Sequence, residues 1–101
     1  MAKKHGTWPK VSEALDAATD RITTVPGVVS VHGQHSNELA IVVVLVDSKR
    51  ARQAVRHVED ELFREDPEIP LDISVYPVAE DKIEPTKEAL STGYSLLWSR
   101  N

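Results

Sequence analysis

The chain contains no cysteine, which excludes disulfides, thiolate zinc sites, iron–sulfur clusters and a cysteine nucleophile. Aromatic residues are scarce, with two Trp, two Tyr and one Phe. They are not interleaved with basic residues as on a surface that stacks single-stranded bases. A basic excess is also missing: 12 Lys and Arg against 16 Asp and Glu leave a formal net charge of −4. That argues against nucleic-acid binding through a general basic field, although it leaves room for a local patch. The longest apolar run, Leu39 to Val46, is far shorter than a bilayer requires. Met1 to Pro9 carries charge with no apolar segment behind it, so neither a secretory signal nor a membrane span is expected, and the expected location is cytoplasmic. There is no P-loop, no G-x-G-x-x-G, no repeat and no low-complexity tract.

What is present is an ordinary globular composition. Hydrophobic residues make up 41% of the chain and charged residues 28%, a balance that argues against disorder throughout. A length of 101 residues supports one core and not two. Residues 1–10 read as a flexible lead-in and residues 11–101 as a single α+β domain.

Along that domain Val11, Leu15, Ala18, Ile22 and Val25 recur at steps of three and four, the stripe of an amphipathic helix. Ser12 is its candidate N-cap, and Pro26-Gly27 ends it. Val28 to His32 reads as a β-branched strand, and Leu39 to Val46 as a second strand with no polar member. Asp47 or Ser48 caps a helix over about Lys49 to Arg64, with Ala51, Ala54, Val55, Val58, Leu62 and Phe63 on its buried side. Arg50, Arg52, Arg56, Glu59, Asp60 and Glu61 carry both signs on its other face, the pattern of solvated surface. Leu71, Ile73 and Val75 alternate with Asp72, Ser74 and Tyr76 in a third strand between Pro70 and Pro77. Pro85 at a helix N1 position and Thr86 to Ser91 give a short last helix closed by Gly93. Tyr94, Leu96, Leu97 and Trp98 form an apolar tail.

The expected fold is therefore an α+β two-layer sandwich in the order α-β-β-α-β-α. It has a three-stranded sheet, two long helices on one face, and a C-terminal helix and tail. Strand two adds a constraint, because both of its faces are apolar and both must be covered. The helices cover one face. The other requires the tail to fold back, or a second copy of the chain, since a bare apolar face of that size is rare on a monomer.

Candidate chemistry clusters at the hairpin. His32, His35, Glu38 and Asp72 combine imidazoles and carboxylates of the kind that bind zinc. Their spacing matches no recognised motif, and the same residues serve equally as a strand end and a turn. Ser36, His35 and Asp72 form a triad on paper, without a nucleophile elbow around the serine. His57 and His5 read as surface residues, and Trp98 as a core or interface anchor.

These segments resemble two families. "NELAIVVVLVD" is similar to the acid-x-acid strand of minimal nucleotidyltransferases of the DNA polymerase β superfamily. Gly33-Gln34 stands at their glycine–serine, "PLDISVYP" at their third strand, and "EALSTGYSLLWSR" at their close, over residues 12 to 100. That resemblance implies Gly33, Glu38 and Asp72 as site residues and Mg2+ as the metal. Gln34 replaces the serine, Ala40 stands where the second acid belongs, and the intervening loop is short. Two-metal phosphoryl transfer requires carboxylates to hold both ions, so the resemblance implies a degenerate relative, or an enzyme working with one metal.

Over residues 22 to 77, "ITTVPGVVSVHG" and "ARQAVRHVEDEL" resemble the ferredoxin-like C-terminal domain of cation diffusion facilitators, and more loosely heavy-metal-associated domains. His32 stands where the transporter domain often has a ligand. Ser74 replaces a second ligand histidine, the hairpin is shorter, and there is no CxxC. A metal-responsive reading would use His32, His35 and Glu38 with Zn2+.

The leading expectation is a small domain without catalysis of its own and without a cofactor, acting as a homodimer or on a protein partner. The alternatives are a metal-responsive regulatory domain and an active nucleotidyltransferase-like enzyme.

Overall fold

The computed structural model describes residues 11–35, 40–68 and 71–100. The expected lead-in, His5, Ser36, Glu38 and Leu39 lie outside the described residues. The elements are α1 (Val11–Ile22), β1 (Val28–Gln34), β2 (Ala40–Val46), α2 (Lys49–Glu65), β3 (Asp72–Val78), α3 (Ile83–Leu90) and β4 (Tyr94–Ser99), with a 3-10 turn over Glu80–Lys82 leading into α3. No helix among the described residues is long and apolar enough to cross a membrane.

Local signals in the sequence account for most boundaries. α1 begins one residue before the expected cap, so Ser12 lies inside the helix. After Ile22 the chain turns through Thr24, whose Oγ donates to the Arg21 carbonyl at 2.7 Å. It then reaches Gly27, whose φ of +98° is a conformation that L side chains rarely adopt. A Cβ at Gly27 would also lie 3.2 Å from the Ala51 Cβ on α2, so glycine lets the turn and the helix approach. α2 is capped by Ser48, whose side chain accepts from the Ala51 N–H at 3.3 Å. It ends at Asp66, just before Pro67.

The sheet has four strands, not the three expected, in the order β3-β2-β1-β4. β1 and β2 form an antiparallel hairpin, and β2 and β3 run parallel across the α2 crossover. The correction comes from the tail. Tyr94–Ser99 folds back as a strand antiparallel to β1 at the sheet margin, and its Tyr94 packs on the second face of β2. Its backbone donors and acceptors on that side are thereby met in the ladder. The order also extends to α-β-β-α-β-α-β, with α3 starting at Ile83, so that Pro85 lies within its first turn.

β2 is interior, flanked by β1 and β3, and both of its faces are covered. On one face Ile41, Val43 and Leu45 join Val28, Val31, Leu71 and Ile73 against Ala18, Ile22, Ala51, Val55 and Leu62 of α1 and α2. Burying each valine or leucine fully stabilises the fold by about 1.5–3 kcal/mol relative to exposure. On the other face Val42, Val44 and Val78 meet Ile83 and Leu90 of α3 and Tyr94 of β4. α3 thus forms a partial third layer beyond the two expected.

A bulge in β1 decides what faces α3. Val28 pairs with Leu45 and Ser30 with Val44, so Val29 is an extra residue in the ladder. Beyond it Ser30 and His32 point to the α3 side, while Val31 stays with α1 and α2.

Candidate functional site

The α3 side of β1 carries the two buried polar residues found among the described residues: Ser30 at 0% exposure and His32 at 2%. Two residues apart on a strand, they share a face, and the Ser30 Oγ lies 2.8 Å from the His32 Nε2 in a hydroxyl–imidazole hydrogen bond. Above them α3 places Lys87, whose Nζ donates to the Ser99 Oγ of β4 at 2.9 Å. Ser99 itself pairs with Ser30 across the β1–β4 ladder. Glu84 lies one turn earlier on α3, with its Oε2 3.7 Å from the Lys87 Nζ. Burial, with the Lys87 charge adding to it, holds the His32 ring below the ordinary histidine range, so the neutral imidazole is the resident form. A pocket of about 350 Å³ opens over this cluster, lined by His32, Glu84, Lys87, Glu88, Ser91 and Leu96.

The larger depression, about 530 Å³, runs along the outer face of α2 between Lys49, Arg52, Gln53, Arg56, His57 and Asp60. Most of its basic side chains already have partners. Arg52 is bound to Asp47, Arg56 approaches Glu59 at 3.6 Å, and His57 approaches Glu61 at 3.2 Å. It is the ion-paired solvated face that the charge pattern implies.

The structure separates the histidines of the hairpin. His35 follows β1 and bonds through Nε2 to the Ser95 Oγ at 2.9 Å. Ser95 pairs with Gly33, on the sheet face opposite His32, because Gly33 is the next residue along the strand. No group of three or more His, Asp or Glu among the described residues is placed to hold a metal ion.

Gly33 and Gln34 lie inside β1, and Gly33 pairs with both Ile41 and Ser95. A Cβ at Gly33 would meet the Leu97 side chain at 3.3 Å, so its small size seats that leucine. Asp72 opens β3, is exposed, and stands in register with Ala40. Burial raises the Glu59 carboxyl on α2, and the Asp72 charge contributes to that rise.

The second feature of note is the sheet margin. β4 pairs only with β1 among the described residues, and its Leu96 and Leu97 are 56% and 40% exposed. Tyr94–Ser99 includes neither proline nor a charge. The opposite margin, β3, carries Pro77 and exposed Asp72, devices that discourage another strand from pairing.

The residues that pattern reading missed are Ser30, Lys87, Glu84, Glu88 and Ser91. The available signal was the Ser30-x-His32 spacing, which puts a hydroxyl and an imidazole on one face of a strand. The fold and site together define a four-stranded α+β domain with a polar pocket under its last helix. No protein-family model, curated protein or solved structure matches the chain.

Proposed function

We propose that this protein is a non-catalytic self-association domain, in which the outer edge of β4 receives the same strand from a second copy. The observation that carries this reading is the exposure of Leu96 and Leu97 on an unprotected sheet margin. Antiparallel pairing of two β4 strands would satisfy their free backbone groups, bury both leucines, and join two four-stranded sheets into one. Pro77 on the other margin favours a closed pair over an open fibre, because among the described residues β4 is the edge without such a device.

A degenerate nucleotidyltransferase-like scaffold is compatible with this reading. Across from Asp72 stands the methyl group of Ala40, where that chemistry would need another carboxylate.

Sedimentation equilibrium over a wide concentration range tests the proposal. The expected result is a monomer–dimer equilibrium that Leu96→Lys shifts to monomer while the unfolding midpoint stays near that of the parent. A monomeric mass at the highest concentration removes the reading, and so does an unchanged dimer in Leu96→Lys.

A further inference from the structure

We propose that the pocket between α3 and β4 binds a free α-amino acid in its zwitterionic form. This inference rests on the α3 side of the sheet alone and does not depend on self-association at the β4 edge.

Its floor is His32, 2% exposed, with Nε2 bonded to Ser30 and with Nδ1 lacking a partner among the described residues. Buried polar atoms nearly always have a partner, so a buried ring lining a pocket of about 350 Å³, with one nitrogen unpartnered among the described residues, points to a guest. That volume falls in the range of small-molecule sites. Lys87 Nζ gives one hydrogen to Ser99, and its ammonium has others to offer.

The charges are ordered by depth. The Lys87 side chain is 20% exposed, whereas that of Glu84 is 82% exposed, and its 3.7 Å separation from Nζ is beyond a hydrogen bond. Glu88 joins Glu84 in the pocket wall. A lone anion reaching Lys87 would be opposed by the two glutamates, and a lone cation reaching the glutamates would be opposed by Lys87. An α-amino acid meets both demands, with its carboxylate inward on Lys87 and His32 and its ammonium outward toward Glu84 and Glu88. With the Ser30 hydroxyl donating to Nε2, the neutral ring carries its proton on Nδ1 and donates it to the carboxylate. Leu96 supplies an apolar wall for a small apolar side chain.

The test is a titration of the full chain, labelled at its histidine ring nitrogens and backbone amides, with L-alanine, propionate and ethylamine. L-alanine should give a saturable shift of the His32 nitrogens and of the Ser91 and Leu96 amides, about tenfold tighter than either half-molecule. Binding should fix the Nδ1–H tautomer, disappear in Lys87→Gln and weaken in Glu88→Gln. A linear response to L-alanine, an equal response to propionate, or undiminished binding in Lys87→Gln overturns the proposal. If Lys87→Gln disturbs α3, the comparison of L-alanine with propionate and ethylamine on the parent chain decides the matter.

Discussion

The two faces of this sheet are built from the same strands, yet they differ in kind. Under α1 and α2 the contacts are apolar throughout, with buried aliphatic residues from three strands and two helices and with Phe63 and Trp98 half-buried against them. Under α3 the aliphatic contacts shrink to Val42, Val44 and Val78 with three half-buried neighbours, and beside them lie Ser30, His32, Lys87 and Ser99. The first face supplies most of the dispersion and hydrophobic stabilisation of the domain. The second exchanges part of that stabilisation for hydrogen-bonding capacity, and a polar pocket is found there. Apolar packing and hydrogen-bonding capacity are thus divided between opposite sides of one layer.

Substitutions on each side should expose the division. Leu45→Ala, on the α1/α2 face, creates a cavity in the larger cluster and should lower global stability by about 2–5 kcal/mol in urea unfolding. Ile83→Ala, in the half-buried contact of α3, should lower it by only about 1 kcal/mol, because less surface leaves water in the first place. Hydrogen exchange should then rise in α3 while α1 and α2 keep their protection. Equal global losses for the two variants would mean that the faces form one cooperative unit.

The pH dependence of stability sharpens the contrast further. His32 is neutral in the fold because burial, with Lys87 adding to it, depresses its proton affinity, whereas the unfolded chain takes up that proton near pH ~6.5. The stabilisation is therefore complete above that pH. It declines as the pH falls from there toward the depressed native value, with a slope from this one proton no steeper than about 1.4 kcal/mol per pH unit. Besides Lys87, the charged groups lining this pocket are Glu84 and Glu88, both on α3. His32→Gln should flatten that part of the profile, and an unaltered profile would show that the ring titrates freely in the native protein.

The smallest effect belongs to the surface. Arg21 donates to Glu65 through its two terminal guanidinium nitrogens, at 2.8 and 2.7 Å, and this pair ties α1 to α2 from outside. Both side chains are substantially exposed, so Arg21→Ala should shift the melting temperature less than any core change, and less still at high salt.

Much of the fold was legible in the residues. Helical spacing located α1 and α2, β-branched runs located β1 and β2, and alternation located β3. The two-sided apolarity of Leu39 to Val46 required a strand covered on both faces. The last strand was not legible, for a local reason: the β1–β4 ladder shifts register between Val31 and His32, opposite Leu96 to Trp98. An irregular ladder breaks the alternation on which strand recognition depends, and Leu96-Leu97-Trp98 then reads as a plain apolar run. The expected start of α3 falls too late because Pro85 suits a first helical residue, which hides Ile83, one of the residues covering β2. The pocket was hidden by distance, since Lys87 and Ser99 meet Ser30 and His32 only through long-range pairing. Of the hairpin histidines, His32 lines the pocket.

Val29 has a consequence beyond its own place in the ladder. Because one additional peptide unit is accommodated there, every later position of β1 is turned over, which assigns the imidazole to one compartment and the neighbouring valines to the other. Drawing Val29 into regular pairing opposite Val44 would invert the assignment, pressing a polar ring into the oily side and a valine into the wet one. The partition of this small domain therefore hangs on the parity of a single strand.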